Sequence, residues 1–175
     1  YSIVQDGYPG VGNLDADPLF AFATDCRLLA GSPAIDSGTA AVPGGLPATD
    51  IEGQPRVVDG DLDGTARVDR GVYERDPTRA TLAASATTLE CHIPEGGPPE
   101  DQTLSIRNAG AGELAWAVAF DVPWLTVTPA LGTSTSEVDE VTVTANVSSL
   151  SAGVYYGRLV VSDTSGASPA REVLV

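Results

Sequence analysis

Glycine and proline punctuate this chain densely enough to rule out long regular elements. The 175 residues include 19 Gly and 13 Pro, spread along the whole length. Glycine favours turns, and proline interrupts both helices and central strands. The segments between them are short and apolar or alternate between apolar and polar residues, which is typical of β-strands. The sequence therefore predicts an all-β protein.

The composition changes near residues 74–79, where the chain divides into two predicted domains. Residues 1–77 are rich in Asp, Gly and Pro, with very short apolar runs such as 1–4, 27–29 and 34–35. Residues 78–175 carry Thr- and Val-rich alternation instead. This alternation, interrupted by turn residues, predicts an Ig-like antiparallel β-sandwich. Its expected strands are 103–106, 114–118, 124–127, 141–144, 156–161 and 171–175.

The aromatic residues of the second domain divide between core and surface. Trp116 alternates in phase with Leu114 and Val118, which predicts a core position. Trp124 opens a strand and is expected to be mostly buried. A tyrosine at position 155 or 156 is expected to hydrogen-bond back to the chain as a tyrosine corner.

The first domain contains a pattern typical of a calcium loop. Asp59, Asp61 and Asp63 alternate, and Gly64 then permits the sharp turn that brings the carbonyl of Thr65 towards a cation. Asp69 follows as a further carboxylate. An EF-hand would carry a Glu one residue later, so a standard EF-hand is not expected. The predicted Ca²⁺ ligands are Asp59, Asp61, Asp63, Thr65 and Asp69.

Two alternatives to this assignment remain open at the level of sequence. The acidic stretch could be a solvated turn with no ion. A second, weaker Ca²⁺ site could be built from Asp15, Asp17, Asp36 or Asp50. Extracellular calcium modules bind at about 10⁻⁴ to 10⁻³ M, so we expect a structural brace and not a cytosolic sensor.

Charge and composition exclude several classes of function. The net charge of −15 would repel a phosphate backbone, so no nucleic acid partner is expected. No apolar run is long enough for a membrane span. His92, the single histidine, is expected to face outward, and no catalytic triad can be assembled around it. The many Asp and Glu residues offer no recognisable catalytic pair, so we predict no enzymatic activity.

The two cysteines allow two interpretations. Cys26 and Cys91 lie on either side of the domain boundary and could form a disulfide in an oxidising compartment. Each alternates with apolar residues, however, which favours two buried free thiols that behave as small hydrophobic side chains.

Four stretches of the first domain form a recognisable series: 13–20, 31–38, 50–56 and 69–74. Taken in this order, they resemble the C-terminal end of secreted bacterial right-handed parallel β-helix proteins of the choice-of-anchor Q type. The resemblance implies terminal coils of a β-helix with structural Ca²⁺ sites. It also implies that the catalytic groove of pectate-lyase-like relatives lies in coils outside this chain.

Three stretches of the second domain, 108–116, 123–132 and 150–155, are mostly expected core and turn positions. Through these stretches the domain resembles a BACON-like Ig domain. That family was named for suspected carbohydrate binding. The resemblance therefore implies a fold more strongly than a function.

These observations lead to one leading functional hypothesis and one alternative. We expect a non-catalytic, calcium-stabilised structural or adhesive protein outside the cell or on its surface, forming part of a stalk or self-assembling filament. Its partners would be copies of itself or upstream β-helix coils, since an open coil exposes unpaired backbone. The alternative is a carbohydrate-binding accessory region of a secreted β-helix enzyme, with Trp124 and Tyr156 as glycan contacts. The chain is also expected to be a piece of a longer protein.

Overall fold

A computed structural model describes residues 2–4 and 6–175 of the chain. It divides into two compact units. The first runs to Ala80 and includes Ala109–Gly112, and the second comprises Thr81–Asn108 and Glu113–Val175. The described residues form strands, turns and loops, and none of them belongs to a helix that could cross a membrane.

Ten strands account for the regular structure of the described residues. In chain order they are β1 (Phe20–Phe22), β2 (Asp25–Leu28), β3 (Leu82–Ala84), β4 (Glu100–Asn108), β5 (Leu114–Phe120), β6 (Leu125–Thr128), β7 (Leu131–Ser134), β8 (Val138–Ala145), β9 (Arg158–Asp163) and β10 (Arg171–Leu174).

The second unit is an Ig-like sandwich of two antiparallel sheets. One sheet has the order β10-β9-β5-β7 and the other the order β3-β4-β8-β6. All six strands expected from the sequence are present. Strands β3 and β7 were not expected, because β3 is an alanine-rich segment of three residues and β7 contains Gly132, which weakens a strand signal.

The sandwich core confirms the expected phase of β5. Trp116 is 2 % exposed, and its indole Nε1 donates a hydrogen bond to Asp139 Oδ2 at 2.7 Å. Gly132, opposite it on β7, leaves room for the ring, because a Cβ there would lie 2.5 Å from the indole. Burial of one large apolar side chain is worth about 1.5–3 kcal/mol. The indole and its single polar atom are therefore both accommodated.

A tyrosine corner precedes β9, as expected. The hydroxyl of Tyr155 donates a hydrogen bond to the carbonyl oxygen of Ser151 at 2.9 Å. Tyr156 makes no such contact and is exposed. Tyr155 therefore fills the predicted role, which fixes the chain where it enters β9.

The first unit has little regular pairing. Its described strands are the antiparallel pair β1 and β2, while Ile3 and Leu14 form an isolated parallel bridge. The stretch 34–35, expected as strand, lies in a turn, although both side chains are buried. A stack of parallel coils is not seen among the described residues. The established fold is all-β, and the β-helix assignment remains a prediction.

A buried ion cluster occupies the inward face of β2. The guanidinium of Arg27 pairs with the carboxylates of Asp25 and Glu52 and lies 4.4 Å from the ring centroid of Tyr73. Because residues 25 and 27 point inward, Cys26 between them points outward and is exposed. The interpretation of Cys26 as a buried thiol was therefore wrong.

The other cysteine, Cys91, is half-buried. The alternative of a disulfide between Cys26 and Cys91, which would join the two units, stays a prediction. His92, next to Cys91, faces outward as the sequence predicted, with its side chain almost fully exposed.

In the first unit, which has little strand pairing, buried aspartates accept hydrogen bonds from the backbone. Asp36, Asp50 and Asp69 are buried, and each accepts at least two backbone N–H groups. Many of these donors lie 24–33 residues away in sequence. Buried backbone donors need acceptors, and carboxylates are strong ones. The aspartates therefore fasten distant loops together.

Candidate metal site

The backbone of the acidic loop predicted from the sequence curls around the carboxylate of Asp59, its first acidic residue. Asp59 Oδ1 accepts the N–H of Asp63 at 3.1 Å, and its Oδ2 accepts that of Gly64 at 2.9 Å. Asp61 Oδ1 also accepts the N–H of Asp63, and Asp63 Oδ1 accepts that of Thr65 at 2.7 Å. Gly64 has a φ of +88°, as the sharp turn requires. The loop therefore has the compact, concave path that a cation site needs.

A residue from outside the loop holds it in place. Asp36 Oδ2 accepts the N–H groups of Gly60 and Asp61 at 2.9 and 3.0 Å, and its Oδ1 accepts that of Arg67 at 3.1 Å. Asp36 itself is buried and has a φ of +52°, which Asp tolerates better than most residues. These hydrogen bonds hold the carboxylate of Asp36 next to the start of the loop, at Gly60 and Asp61.

Three carboxylates converge at this point: Asp36, Asp59 and Asp61, hereafter the aspartate trio. One oxygen from each lies within 4.8 Å of the other two. Calcium binds carboxylate oxygens at about 2.3–2.6 Å, so oxygens on opposite sides of one ion are separated by up to about 5 Å. The spacing of the trio fits a single hard cation. Among residues 2–4 and 6–175, no other set of three or more Asp, Glu, His or Cys side chains has its ligand atoms within 4.8 Å of one another.

Two of the sequence-predicted ligands lie on the loop without joining the trio. The carboxylate of Asp63 faces Arg67 at 3.7 Å and receives the N–H of Thr65. The Thr65 carbonyl stays a predicted ligand, as does Asp63, and both belong to the loop that already carries Asp59 and Asp61. Of the predicted set, the structure therefore groups Asp59 and Asp61.

Asp69 is engaged elsewhere. Its Oδ1 accepts the N–H of Asp36 at 2.8 Å and its Oδ2 accepts that of Arg75 at 2.7 Å. Burial raises the pKa of Asp69, while these hydrogen bonds lower it in part. Asp69 therefore braces the backbone of Asp36, and its carboxylate is not part of the group of three that converges at the loop.

Asp36, and not Asp69, completes the group of three carboxylates, and the sequence offered only a weak signal for it. It appeared among the candidates for a second site, together with Asp15, Asp17 and Asp50. The structure does not bring those three to Asp36 as a metal group: Asp15 and Asp17 are exposed, and Asp50 binds backbone N–H groups. The 24-residue separation between Asp36 and Gly60 hid the relation.

The second candidate site consists of aromatic residues at one end of the sandwich, here called the aromatic end (Phe120, Trp124, Tyr155 and Tyr156). Phe120 pairs with Leu159 at the end of β5, and Gly157, just before β9, lies against the Trp124 ring. Tyr156 is 78 % exposed, and Phe120 and Tyr155 are 42 % and 40 % exposed, whereas Trp124 is partly buried. Three aromatic rings are thus at least partly open to solvent at this end.

The second unit is an Ig-like β-sandwich, and most of it lies within a stretch that matches a known domain family. Residues 97–170 match the family described as "Viral BACON domain". The search of curated proteins found no match.

Comparison with solved structures returned distant Ig-type and PapD-like neighbours. The human ASH/PapD-like domain of CEP192 (PapD-like domain 7) is 10 % identical, with a TM-score of 0.41, covering 53 % of this chain and 82 % of that domain. A Bacteroides ovatus GH5 xyloglucanase, solved with a XXXG heptasaccharide, is 15 % identical (TM-score 0.38; 54 % of this chain, 18 % of the enzyme). The E. coli chaperone DraB is 12 % identical (TM-score 0.36; 54 % and 53 %). Likenesses of this strength carry no argument about function.

Proposed function

We propose that this chain is a non-catalytic structural module of a protein located outside the cell or at its surface, braced by Ca²⁺ at the aspartate trio. The observation that carries the proposal is the convergence of Asp36, Asp59 and Asp61 within 4.8 Å. An ion there would join the 59–65 loop to the turn at Asp36, so that binding would tighten the first unit. In this view the first unit is the end of a parallel β-helix and the sandwich is an appended BACON-like module.

Assembly into a stalk or filament follows from the same proposal. An end of a β-helix pairs with upstream coils or with a neighbouring copy through its open backbone edge. Net negative charge opposes such contacts at low ionic strength, and divalent cations would reduce that repulsion. Light scattering in Ca²⁺ at high protein concentration tests this part: growing particles support assembly, and a constant monomer contradicts it.

Asp61→Asn is expected to remove the stabilisation by Ca²⁺ while leaving the metal-free protein nearly unchanged. Asp61 is exposed, and asparagine keeps an oxygen for the N–H of Asp63. With a Kd of about 10⁻⁴ to 10⁻³ M, 10 mM Ca²⁺ would stabilise the wild type by about 1.4–2.7 kcal/mol. Thermal melts with Ca²⁺ and with a chelator measure this difference.

Asp6→Asn, an exposed change of the same charge in the same unit, is the matched control and should keep the full Ca²⁺ response. Equal melting temperatures for wild type and Asp61→Asn in both conditions would remove the metal assignment.

Carbohydrate binding is the second candidate function, and the exposed rings of Phe120 and Tyr156 favour it. Aromatic faces provide apolar area on which sugar rings stack. Tyr156→Ala is expected to lower affinity for a bound polysaccharide about tenfold, or ~1.4 kcal/mol. Affinity electrophoresis in gels containing soluble plant and bacterial polysaccharides measures the retardation.

Tyr8→Ala, at a tyrosine of the first unit that is also largely exposed, is the control for this experiment. Migration of the wild type unaffected by every polysaccharide would argue against the glycan function. Retardation that Tyr156→Ala leaves intact would place any binding elsewhere.

A further inference from the structure

A cleft in the first unit has the size of a small-molecule binding site. Its volume is about 710 Å³, within the range of about 300–1,000 Å³ that is usual for ligand pockets. The side chains of Ile3, Pro18 and Phe20 give part of its lining an apolar character. Phe20 is 39 % exposed, so that its ring is accessible to a ligand. The cleft can therefore hold a small organic molecule.

Hydrogen bonds hold the walls of this cleft together. The N–H of Val4 donates to the carbonyl oxygen of Leu14 at 2.9 Å, and the N–H of Leu14 donates to that of Ser2 at 2.8 Å. Asp17 Oδ1 accepts the N–H of Leu19 at 2.9 Å, which fixes the turn that leads into β1. Ligand pockets are usually formed before the ligand binds, and the fixed walls meet that condition.

The described lining of the cleft carries more acidic than basic groups. It contains the exposed carboxylates of Asp6, Asp15 and Asp17 and the guanidinium of Arg70. Arg70 is held by the wall, since its guanidinium donates hydrogen bonds to backbone carbonyl oxygens and to the hydroxyl of Ser37. An excess of carboxylates attracts cations and repels anions. The charge of the cleft therefore suits a cationic ligand.

The three carboxylates do not form a second metal site. In the part of the chain that the structure describes, the aspartate trio is the set of acidic, His or Cys side chains whose ligand atoms lie within 4.8 Å of one another. The oxygens of Asp6, Asp15 and Asp17 are spread more widely, so one metal ion cannot bind all three. A larger cation, with its charged group attached to an apolar body, can contact carboxylates and the apolar lining together.

The aromatic ring in the lining adds a second preference for an organic cation. The face of an aromatic ring attracts an ammonium group electrostatically and also packs against apolar groups. Phe20 therefore favours a ligand that has both features. An organic anion would meet the same ring but would be repelled by the carboxylates.

We propose that this cleft binds an organic ammonium ion, namely a primary amine that carries an apolar group. The ammonium group pairs with the carboxylates of Asp15 and Asp17, and the apolar group packs against Phe20 and Pro18. None of these residues belongs to the aspartate trio, so that the site goes beyond the calcium brace and is tested without calcium.

An NMR titration of the ¹⁵N-labelled chain in chelator, with 2-phenylethylammonium chloride as the probe, tests this site. The amides of Ala16, Phe20 and Gly71 should shift and saturate with a midpoint on the order of 1 mM. The alcohol 2-phenylethanol has the same body without the charge. It should bind about tenfold more weakly, since it lacks the cation–π and ion-pair contacts. Equal affinities for amine and alcohol, or no saturation of these shifts by about 10 mM amine, would overturn the proposal.

Two variants test the residues assigned to the site. Asp15→Asn keeps the shape of an exposed side chain and should weaken amine binding severalfold, with no effect on the alcohol. Phe20→Leu keeps an apolar side chain without an aromatic face and should bring the two affinities closer together.

The matched control is Glu140→Gln, which removes the same charge from the exposed face of β8 and should follow the wild type. Amine affinity that is unchanged in Asp15→Asn, or that falls equally in Glu140→Gln, would overturn the assignment. The comparison of amine with alcohol on the wild type decides the matter even where a variant fails to fold.

Discussion

Trp116→Ala is expected to destabilise the sandwich by about 3–5 kcal/mol, the range for loss of a large buried aromatic side chain. The indole is 2 % exposed and packs against Gly132, so that its removal leaves a cavity between the sheets. Asp139 also loses its 2.7 Å hydrogen bond from the indole N–H. Urea unfolding followed by circular dichroism measures the change in the free energy of unfolding.

Two control variants separate packing from surface effects. Trp116→Phe keeps an aromatic ring but loses the donor to Asp139, and should cost less than Trp116→Ala. Leu131→Ala, at a side chain that is 72 % exposed, should change the free energy of unfolding by less than about 0.5 kcal/mol. A loss below about 1 kcal/mol for Trp116→Ala would contradict the assignment of this residue to the core.

Arg27→Ala is expected to produce the largest loss in the first unit, about 3–5 kcal/mol. The substitution leaves the carboxylates of Asp25 and Glu52 without their buried partner and removes the cation over the Tyr73 ring. An unpaired buried charge costs more than the pair itself contributes. Hydrogen exchange should therefore show loss of protection in β1 and β2 while the sandwich strands remain protected.

The matched control for this prediction is Arg158→Ala. Arg158 forms ion pairs with Asp121 and Glu172 whose side chains are about half exposed or more, and such pairs are worth about 0–1 kcal/mol. If Arg27→Ala and Arg158→Ala had similar effects on stability, the buried ion cluster would not hold the first unit together.

The strands of the sandwich were predictable because the residue pattern within each strand indicates which side chains face the core. Alternation of apolar and polar residues sets the inward face of a strand, and this rule found six strands and the core position of Trp116. The tyrosine corner, expected from the Ig-like fold at position 155 or 156, is formed by Tyr155. The rule failed for β7, where Gly132 breaks the pattern although the indole beside it requires a glycine.

The first unit was less predictable because its structure depends on contacts between residues that are far apart in the sequence. Alternation suggested that Cys26 was buried, but a buried ion cluster takes the inward face of β2, and apolarity alone cannot reveal this. For the candidate metal site, the alternating carboxylates predicted Asp59 and Asp61, which the structure brings together. Asp36 joins them through hydrogen bonds to residues 24–31 positions away, and Asp69 is diverted to the backbone of Asp36 itself.

Binding of Ca²⁺ at the aspartate trio is the central claim, and an NMR titration of the ¹⁵N-labelled chain tests it most directly. Addition of CaCl₂ should shift the amides of Gly60, Asp61 and Gly64, whose N–H groups contact trio carboxylates. The shifts should saturate with a midpoint of about 10⁻⁴ to 10⁻³ M, and Asp61→Asn should weaken them. Shifts that are absent, or that rise linearly and equally over all acidic surfaces up to about 20 mM, would contradict the site.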